Sequence, residues 1–252
     1  MFMDDIADLY SQRAELHCHS VFSGKLSYAP FVYDSVMLVE DILTLARRHD
    51  VSILAITDHD TLDGYRYARE LLDRSDGHDI TLLPACEVSS SHGHILAYGI
   101  TREIQKHISP EATIEAIHEQ GGLAFAAHPF MFAFSLGKRV YDLPLDGIEG
   151  QNALIPHFLN RRATRAAKRL ALPRISCSDS HHPYSFAKSV TMFAKGVDTW
   201  QKTVQALQHG QFITDDRQAL IRYTPWAHLK GTVHVRRAAK KLARQVEMSR
   251  NI

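Results

Sequence analysis

Histidines and carboxylates in this chain recur directly after apolar runs, and no other feature of the sequence constrains the fold as tightly. Arg13 to Cys18 reads as a short strand delivering His17 and His19, which share one face because strand side chains alternate with period two. Val51 to Thr57 is a continuous apolar run of the kind buried parallel strands show, and it leads into Asp58, His59 and Asp60. Ile80 to Cys86 ends at Glu87, Leu123 to Ala127 runs into His128, and Arg174 to Cys177 ends in Ser178, Asp179, Ser180 and His181. The chain holds 16 histidines, and scattered surface histidines would not cluster in this way.

Between these runs lie segments of helical spacing: Asp34 to His49, Leu62 to Leu72, Pro110 to Glu119 capped by Ser109, Phe158 to Leu170, and Thr199 to His209. Weaker strands are expected at Ile95 to Gly99, Gly147 to Asn152 and Ser189 to Phe193. Strand and helix alternation predicts an α/β fold with a parallel, barrel-like sheet under helices, whose functional face is the C-terminal end of the strands. His94 lies near the start of its strand, which predicts that this strand runs opposite to its neighbours.

With 252 residues, 45% of them hydrophobic and 23% charged, the chain is long enough for one α/β barrel and is neither disordered, collagenous nor coiled-coil. No apolar run approaches the ~18 residues of a membrane span. The opening MFMDDIADLY carries acids where a secretory signal needs positive charge, so no membrane association and a cytoplasmic location are expected. Cys18, Cys86 and Cys177 are odd in number and are expected as small core residues rather than a disulfide framework.

Each cluster has an ordinary reading of its own. His17 and His19 are either a chance pair or ligands to one ion; Asp58 and Asp60 also suit helix caps, Glu87 a surface site, and Asp179 with His181 a turn. Their recurrence at successive strand ends favours convergence on metal ions, the usual reason to gather several imidazoles.

In order along the chain, ELHCHS at 15 to 20, ITDHDTLDGY at 56 to 65, ACEVSS at 85 to 90, HILAYG at 94 to 99, AHP at 127 to 129, GIEGQN at 147 to 152 and SDSHHP at 178 to 183 resemble the polymerase and histidinol phosphatase (PHP) family of metal-dependent phosphoesterases. The resemblance implies a distorted (β/α)7 barrel over residues 1–221, followed by a basic tail at 222–252, and two or three zinc, manganese or iron ions. It further implies that His17, His19, Glu87 and Asp179 hold a first ion, that Glu87 bridges to a second on His94 and His128, and that His59 and His181 hold a third. Asp58 and Asp60 would orient His59 and cap the next helix. One departure stands out: where many relatives continue the first motif with an acid or histidine, Phe22, Ser23, Gly24 and Lys25 offer none, which predicts a third site that is weak, completed by substrate, or empty.

The chemistry implied is hydrolysis of a phosphomonoester of a small metabolite or nucleotide by a metal-activated hydroxide, with Glu87, Asp58, His59 and His181 in the catalytic group. Lys25, Lys188 and His182 are the candidates for the substrate phosphate. Phe130 to Phe134 with Lys138 and Arg139 either wall a pocket or pack as core and lid. A 3′–5′ phosphodiesterase acting on oligonucleotides is the alternative. It draws on Arg161, Arg162, Arg165, Lys168 and Arg169 in one helix and on the basic tail, although the net charge of +1 gives no global nucleic-acid signature. A metal-binding module without turnover is the third reading.

Overall fold

The computed structural model describes residues 9–24, 32–75, 79–216 and Val233. Among these residues ten strands and five α-helices follow one another as β1 (Gln12–Cys18), α1 (Val39–Arg48), β2 (Val51–Ile56), α2 (Asp63–Arg74), β3 (Thr81–Leu82), β4 (Ala85–Ser90), β5 (Gly93–Tyr98), α3 (Pro110–His118), β6 (Leu123–Ala126), β7 (Gly147–Asn152), α4 (His157–Leu170), β8 (Arg174–Cys177), β9 (Val190–Phe193), α5 (Trp200–Gln208) and β10 (Phe212–Asp215). Their ladders form two five-stranded sheets of order β10-β9-β1-β2-β3 and β4-β5-β6-β7-β8, so the fold is mixed α/β. Single bridges, Cys18 with Ser180 and His59 with Glu87, join the sheets at the C-terminal ends of β1 and β2.

β1, β2 and β3 run parallel, as do β6, β7 and β8. β5 is antiparallel to both β4 and β6, as the position of His94 at its start predicts. The apolar run of β2 is explained by burial on both faces: Ile53, Leu54 and Ala55 are all inaccessible to solvent. Tyr98 is the largest side chain at full burial, and its hydroxyl donates to the Leu16 carbonyl at 3.0 Å, so its polar end is satisfied. All three cysteines are buried and free, in line with a role as core residues. No described helix is long and apolar enough to cross a membrane.

Two boundaries differ from the sequence expectation. α1 begins at Val39 rather than Asp34, because the five residues before it bond elsewhere: Val36 N donates to the His181 carbonyl at 3.0 Å and Ser35 Oγ to the His19 carbonyl at 2.6 Å. The expected strand from Ile80 to Cys86 is split at Pro84, which has no N–H to donate, and Glu87 consequently lies inside β4 rather than after a strand end. β10, which pairs antiparallel with β9, was not expected from the sequence. Gly93 opens β5 at φ +124, and a Cβ there would lie 2.4 Å from the Ser135 backbone, so only glycine lets the β4–β5 turn press against the loop that follows β6. Lys25 and the tail at 222–252, Val233 apart, lie outside the described residues.

Candidate metal centre

β1 ends with His17 and His19 buried, and the two Nε2 atoms lie 3.1 Å apart. Both face the same carboxylate oxygens. Glu87 Oε2 is 3.2 Å from His17 Nε2 and 3.1 Å from His19 Nε2; Asp179 Oδ1 is 3.3 and 3.4 Å away from the same atoms. The other oxygen of Glu87 turns to a different pair, Oε1 lying 2.8 Å from His128 Nε2 and 3.0 Å from His94 Nδ1. One buried carboxylate therefore faces two groups of imidazoles, one through each oxygen.

A third group forms beside these. His59 Nε2 and His181 Nε2 lie 3.6 and 3.2 Å from Asp34 Oδ2, and His19 completes the cluster. Asp34 is the acid that the first motif lacks. It lies ten residues further on, and its N–H donates to the Gly24 carbonyl at 2.9 Å, which sets it beside the place where the first motif offers no acid. Nothing in its sequence context marked it as part of the site, since it opened the segment of helical spacing from Asp34 to His49.

Electrostatics bind the cluster together. Burial works to raise the Glu87 carboxyl, but His17, His94 and His59 outweigh it and hold the group well below the usual carboxylate range. Burial pushes His59 down to about 3 against the pull of Glu87, leaving its ring neutral. His181 is opposed by burial yet raised to about 10, chiefly by Asp34. Deprotonated imidazole with carboxylate is the donor set that divalent transition metals take. The residues fit such ions.

Around these ligand-type groups stand buried residues that fix their orientation. Glu149, unnoticed in the sequence although an acid inside a buried strand is unusual, accepts from Asn152 Nδ2 at 3.1 Å and lies 3.0 Å from His17 Nδ1, while its Oε2 accepts from His128 N. Asn152 also donates to Asp179 Oδ2 at 3.0 Å. Glu15, buried and pushed up to about 7 by that burial, accepts the backbone N–H groups of His17, Ser178 and Ala187, fastening β1 to the loop after β8. His128 at φ +25, Asp179 at φ +52 and Asp60 at φ +58 are held in left-handed backbone, at a cost of about 1–3 kcal/mol each of the kind that surrounding packing maintains at functional sites.

The structure places other expected site residues differently. Asp58 does not touch His59 or cap α2. Its carboxylate takes Ser20 N, Ser20 Oγ and Ser23 Oγ at 2.6, 2.6 and 2.9 Å, and Ser23 in turn contacts His19 Nδ1 at 3.0 Å and accepts from His59 N. Asp58 thus acts on both histidines through the turn at Ser23, and Asp60 accepts from Ser89 N at 2.7 Å. Lys188 is exposed and acts on His49, which precedes the start of β2, whereas the centre lies beyond the end of β2. His182 stacks on Tyr184 at 4.6 Å, outside the cavity lining.

A cavity of about 1010 Å³ opens onto the cluster, with Met131, Phe134, Leu154 and Ile155 along its apolar wall and Ser89, Ser91 and Lys106 on its polar one. The run from Phe130 to Phe134 divides: Phe130 is buried, while Phe134 is exposed and stacks on His94 with ring centres 5.4 Å apart. Arg139 pairs with Glu111 at 2.7 Å instead of facing the cavity. Lys106, which the sequence reading passed over, has no hydrogen bond or ion pair among the described residues. It is held at the mouth by a loop whose His107 N donates to Ser89 O at 2.7 Å.

Comparison with known proteins adds to this geometry. A family model described as PHP-associated matches residues 157–212. An uncharacterized protein of Methanocaldococcus jannaschii is 37% identical over 143 residues, which is 56% of this chain and 82% of that protein. Among solved structures, a two-domain protein from Bacteroides vulgatus containing a predicted PHP-like metal-dependent phosphoesterase superposes with a TM-score of 0.64 at 17% identity, over 88% of this chain and 69% of that one. The lesion-specific endonuclease Q of Pyrococcus furiosus superposes with a TM-score of 0.59 at 18% identity, over 81% of this chain and 57% of that one.

Proposed function

Because the chain belongs to the PHP family, we propose that it is a metal-dependent phosphoesterase, a hydrolase whose centre is the cluster around Glu87. The observation that carries this reading is the division of the Glu87 carboxylate, Oε2 towards His17 and His19 and Oε1 towards His94 and His128, which is what a bridging ligand requires. His17, His19, Glu87 and Asp179 would hold one ion, Glu87, His94 and His128 a second, and His59, His181 and Asp34 a third. Zinc, manganese or iron ions there supply Lewis-acid polarisation of a phosphoryl group and a water of lowered pKa. The two sheets that meet at these residues are then the two parts of the family's distorted (β/α)7 barrel.

The chain's own groups do the positioning. Glu149 and Asn152 hold His17, the His128 backbone and Asp179 in orientation, and the neutral ring of His59 keeps a lone pair available. A cavity of about 1010 Å³ suits a substrate of metabolite or nucleotide size, with a ring against Phe134 and Met131 and a phosphate oxygen against Lys106. Phosphomonoesters of small metabolites or nucleotides are therefore the proposed substrates. A structure of endonuclease Q in complex with a 27-mer duplex substrate is also among the structural neighbours, which keeps a nucleic-acid phosphodiester as the second reading.

Purified full-length protein from metal-replete growth is expected to carry at least two transition-metal ions per chain. With manganese it is expected to hydrolyse members of a panel of phosphomonoesters. Elemental analysis giving less than one ion per chain would overturn the reading. Lys106→Ala is expected to raise KM by about 10- to 100-fold, the equivalent of a lost charged hydrogen bond of roughly 1.5–3 kcal/mol, with metal content unchanged. Steady-state kinetics on the best monoester read this directly, and an unchanged KM would remove Lys106 from the phosphate site.

A further inference from the structure

The cations of α4 are not explained by hydrolysis of a small ester. Residues 157–170 hold five of them, Arg161, Arg162, Arg165, Lys168 and Arg169, and no acid, in a chain whose net charge is only +1. All five are exposed, and none pairs with a carboxylate among the described residues. Elsewhere on the surface Arg47 pairs with Asp79, Arg66 with Glu103 and Arg74 with Glu70, whereas α4 has no acid of its own to pair with its cations.

Aromatic rings lie among these cations. Phe132 is 85% exposed and Phe158, in the first turn of α4, is 52% exposed; their ring centres are 6.3 Å apart. Arg162 lies over the ring of Phe130 at 4.3 Å, and Arg169 over Tyr141 at 5.1 Å. Phe158, Arg161, Arg162 and Arg165 follow the i, i+3, i+4, i+7 spacing that puts side chains on one helical stripe. The stripe starts at the cavity, because Leu154 and Ile155 line the wall just before α4 begins and Met131 and Phe134 flank Phe132 in the opposite loop. Phe134 itself sits at φ +57, an unfavourable backbone for a bulky side chain, with its ring on the cavity wall.

We infer that this stripe binds single-stranded nucleic acid and leads one end of the strand into the cavity. Exposed rings give stacking platforms for any base, and unpaired arginines follow a phosphate backbone, the combination by which sequence-tolerant single-strand binding works. At 1.5 Å per residue, Phe158 to Arg169 spans roughly 17 Å, the length of several nucleotides. The segment at 222–252 is not a complementary occupant, since Arg236, Arg237, Lys240, Lys241 and Arg244 carry the same sign of charge. The binding claim stands on the surface alone; only the fate of the bound strand rests on the phosphoesterase reading.

The test is fluorescence anisotropy of a labelled 12-nucleotide oligothymidylate with the full-length protein across a salt series, compared with the same strand in a duplex and with vesicles of phosphatidylserine. Wild type is expected to bind the single strand more tightly than the duplex. Arg161→Glu with Arg165→Glu should weaken it at least tenfold and flatten the log–log salt slope by about 1.4 for two lost phosphate contacts. Phe132→Ser with Phe158→Ser should weaken binding about tenfold and leave the slope unchanged, a separation that general loss of folding does not produce. Turnover of a small monoester with manganese should be unaltered in both variants. Absence of single-strand binding, affinity unchanged by the charge reversal, or binding to the vesicles with none to the oligonucleotide would each overturn the inference. Monoester turnover in that case would leave the phosphoesterase reading standing, and strand binding without any turnover would leave only the inference.

Discussion

Glu87→Gln is expected to reduce kcat/KM on a phosphomonoester by at least about 10³-fold, near 4 kcal/mol of transition-state stabilisation, and to bring the bound metal below two ions per chain. The substitution keeps the volume and the backbone contacts of β4, in which Glu87 N donates to the Thr57 carbonyl at 3.2 Å and Glu87 O accepts from Asp60 N at 3.0 Å. What changes is charge and donor character. An amide cannot present an anionic oxygen to both His17 and His19 on one side and His94 and His128 on the other, and its NH₂ would point at one of those nitrogen pairs. Because His17, His94 and His59 hold the Glu87 carboxyl well below its usual range, removing the charge leaves those buried rings without their partner, so the metal-free variant should melt below metal-free wild type. Near wild-type turnover, with metal content measured on the same sample, would refute the bridging arrangement.

The groups that sequence reasoning located share a physical cause. His17 near the end of β1, and His19, His59, His128, Asp179 and His181 after strands, stand where buried strands end, so a charged or ligand-type residue there stands out against an apolar run. Glu87 was identified for the same reason, even though Pro84 shifts the strand and places it within β4. Asp34 and Lys106 had no such background. Each is tied to the site by a backbone bond from its own position or its neighbour's, Asp34 N to Gly24 O and His107 N to Ser89 O, and such bonds leave no periodicity to read. Glu149 is an acid inside a fully buried strand, but Gly147 and Gly150 on either side make that strand read as weak, so its burial is not evident from the sequence. Lys188 follows the SDSHHP block closely in sequence, but it is exposed and its charge acts on His49.

Asp34→Asn is expected to lower the bound metal by about one ion per chain and to weaken the affinity for that ion by at least about 100-fold, the upper range for losing even an orienting partner of a metal ligand. The sequence alone pointed to Gly24 as the place where an acid was missing, and an acid introduced there would seem to restore the third site. The backbone argues otherwise. Gly24 sits at φ 82, ψ −145, a region that is close to glycine-only, so Gly24→Asp in the Asp34→Asn background should not recover the ion and should lower the melting temperature. Glycine at this turn and the acid at Asp34 are thus two halves of one solution: the turn gives its carbonyl to Asp34 N, and Asp34 Oδ2 meets His59 and His181. Isothermal titration of the metal-free proteins with manganese or zinc reads the stoichiometry without reference to turnover. Three ions retained by Asp34→Asn would show that the third group does not depend on this carboxylate, and recovery by Gly24→Asp would show that the loop has more freedom than its backbone angles allow.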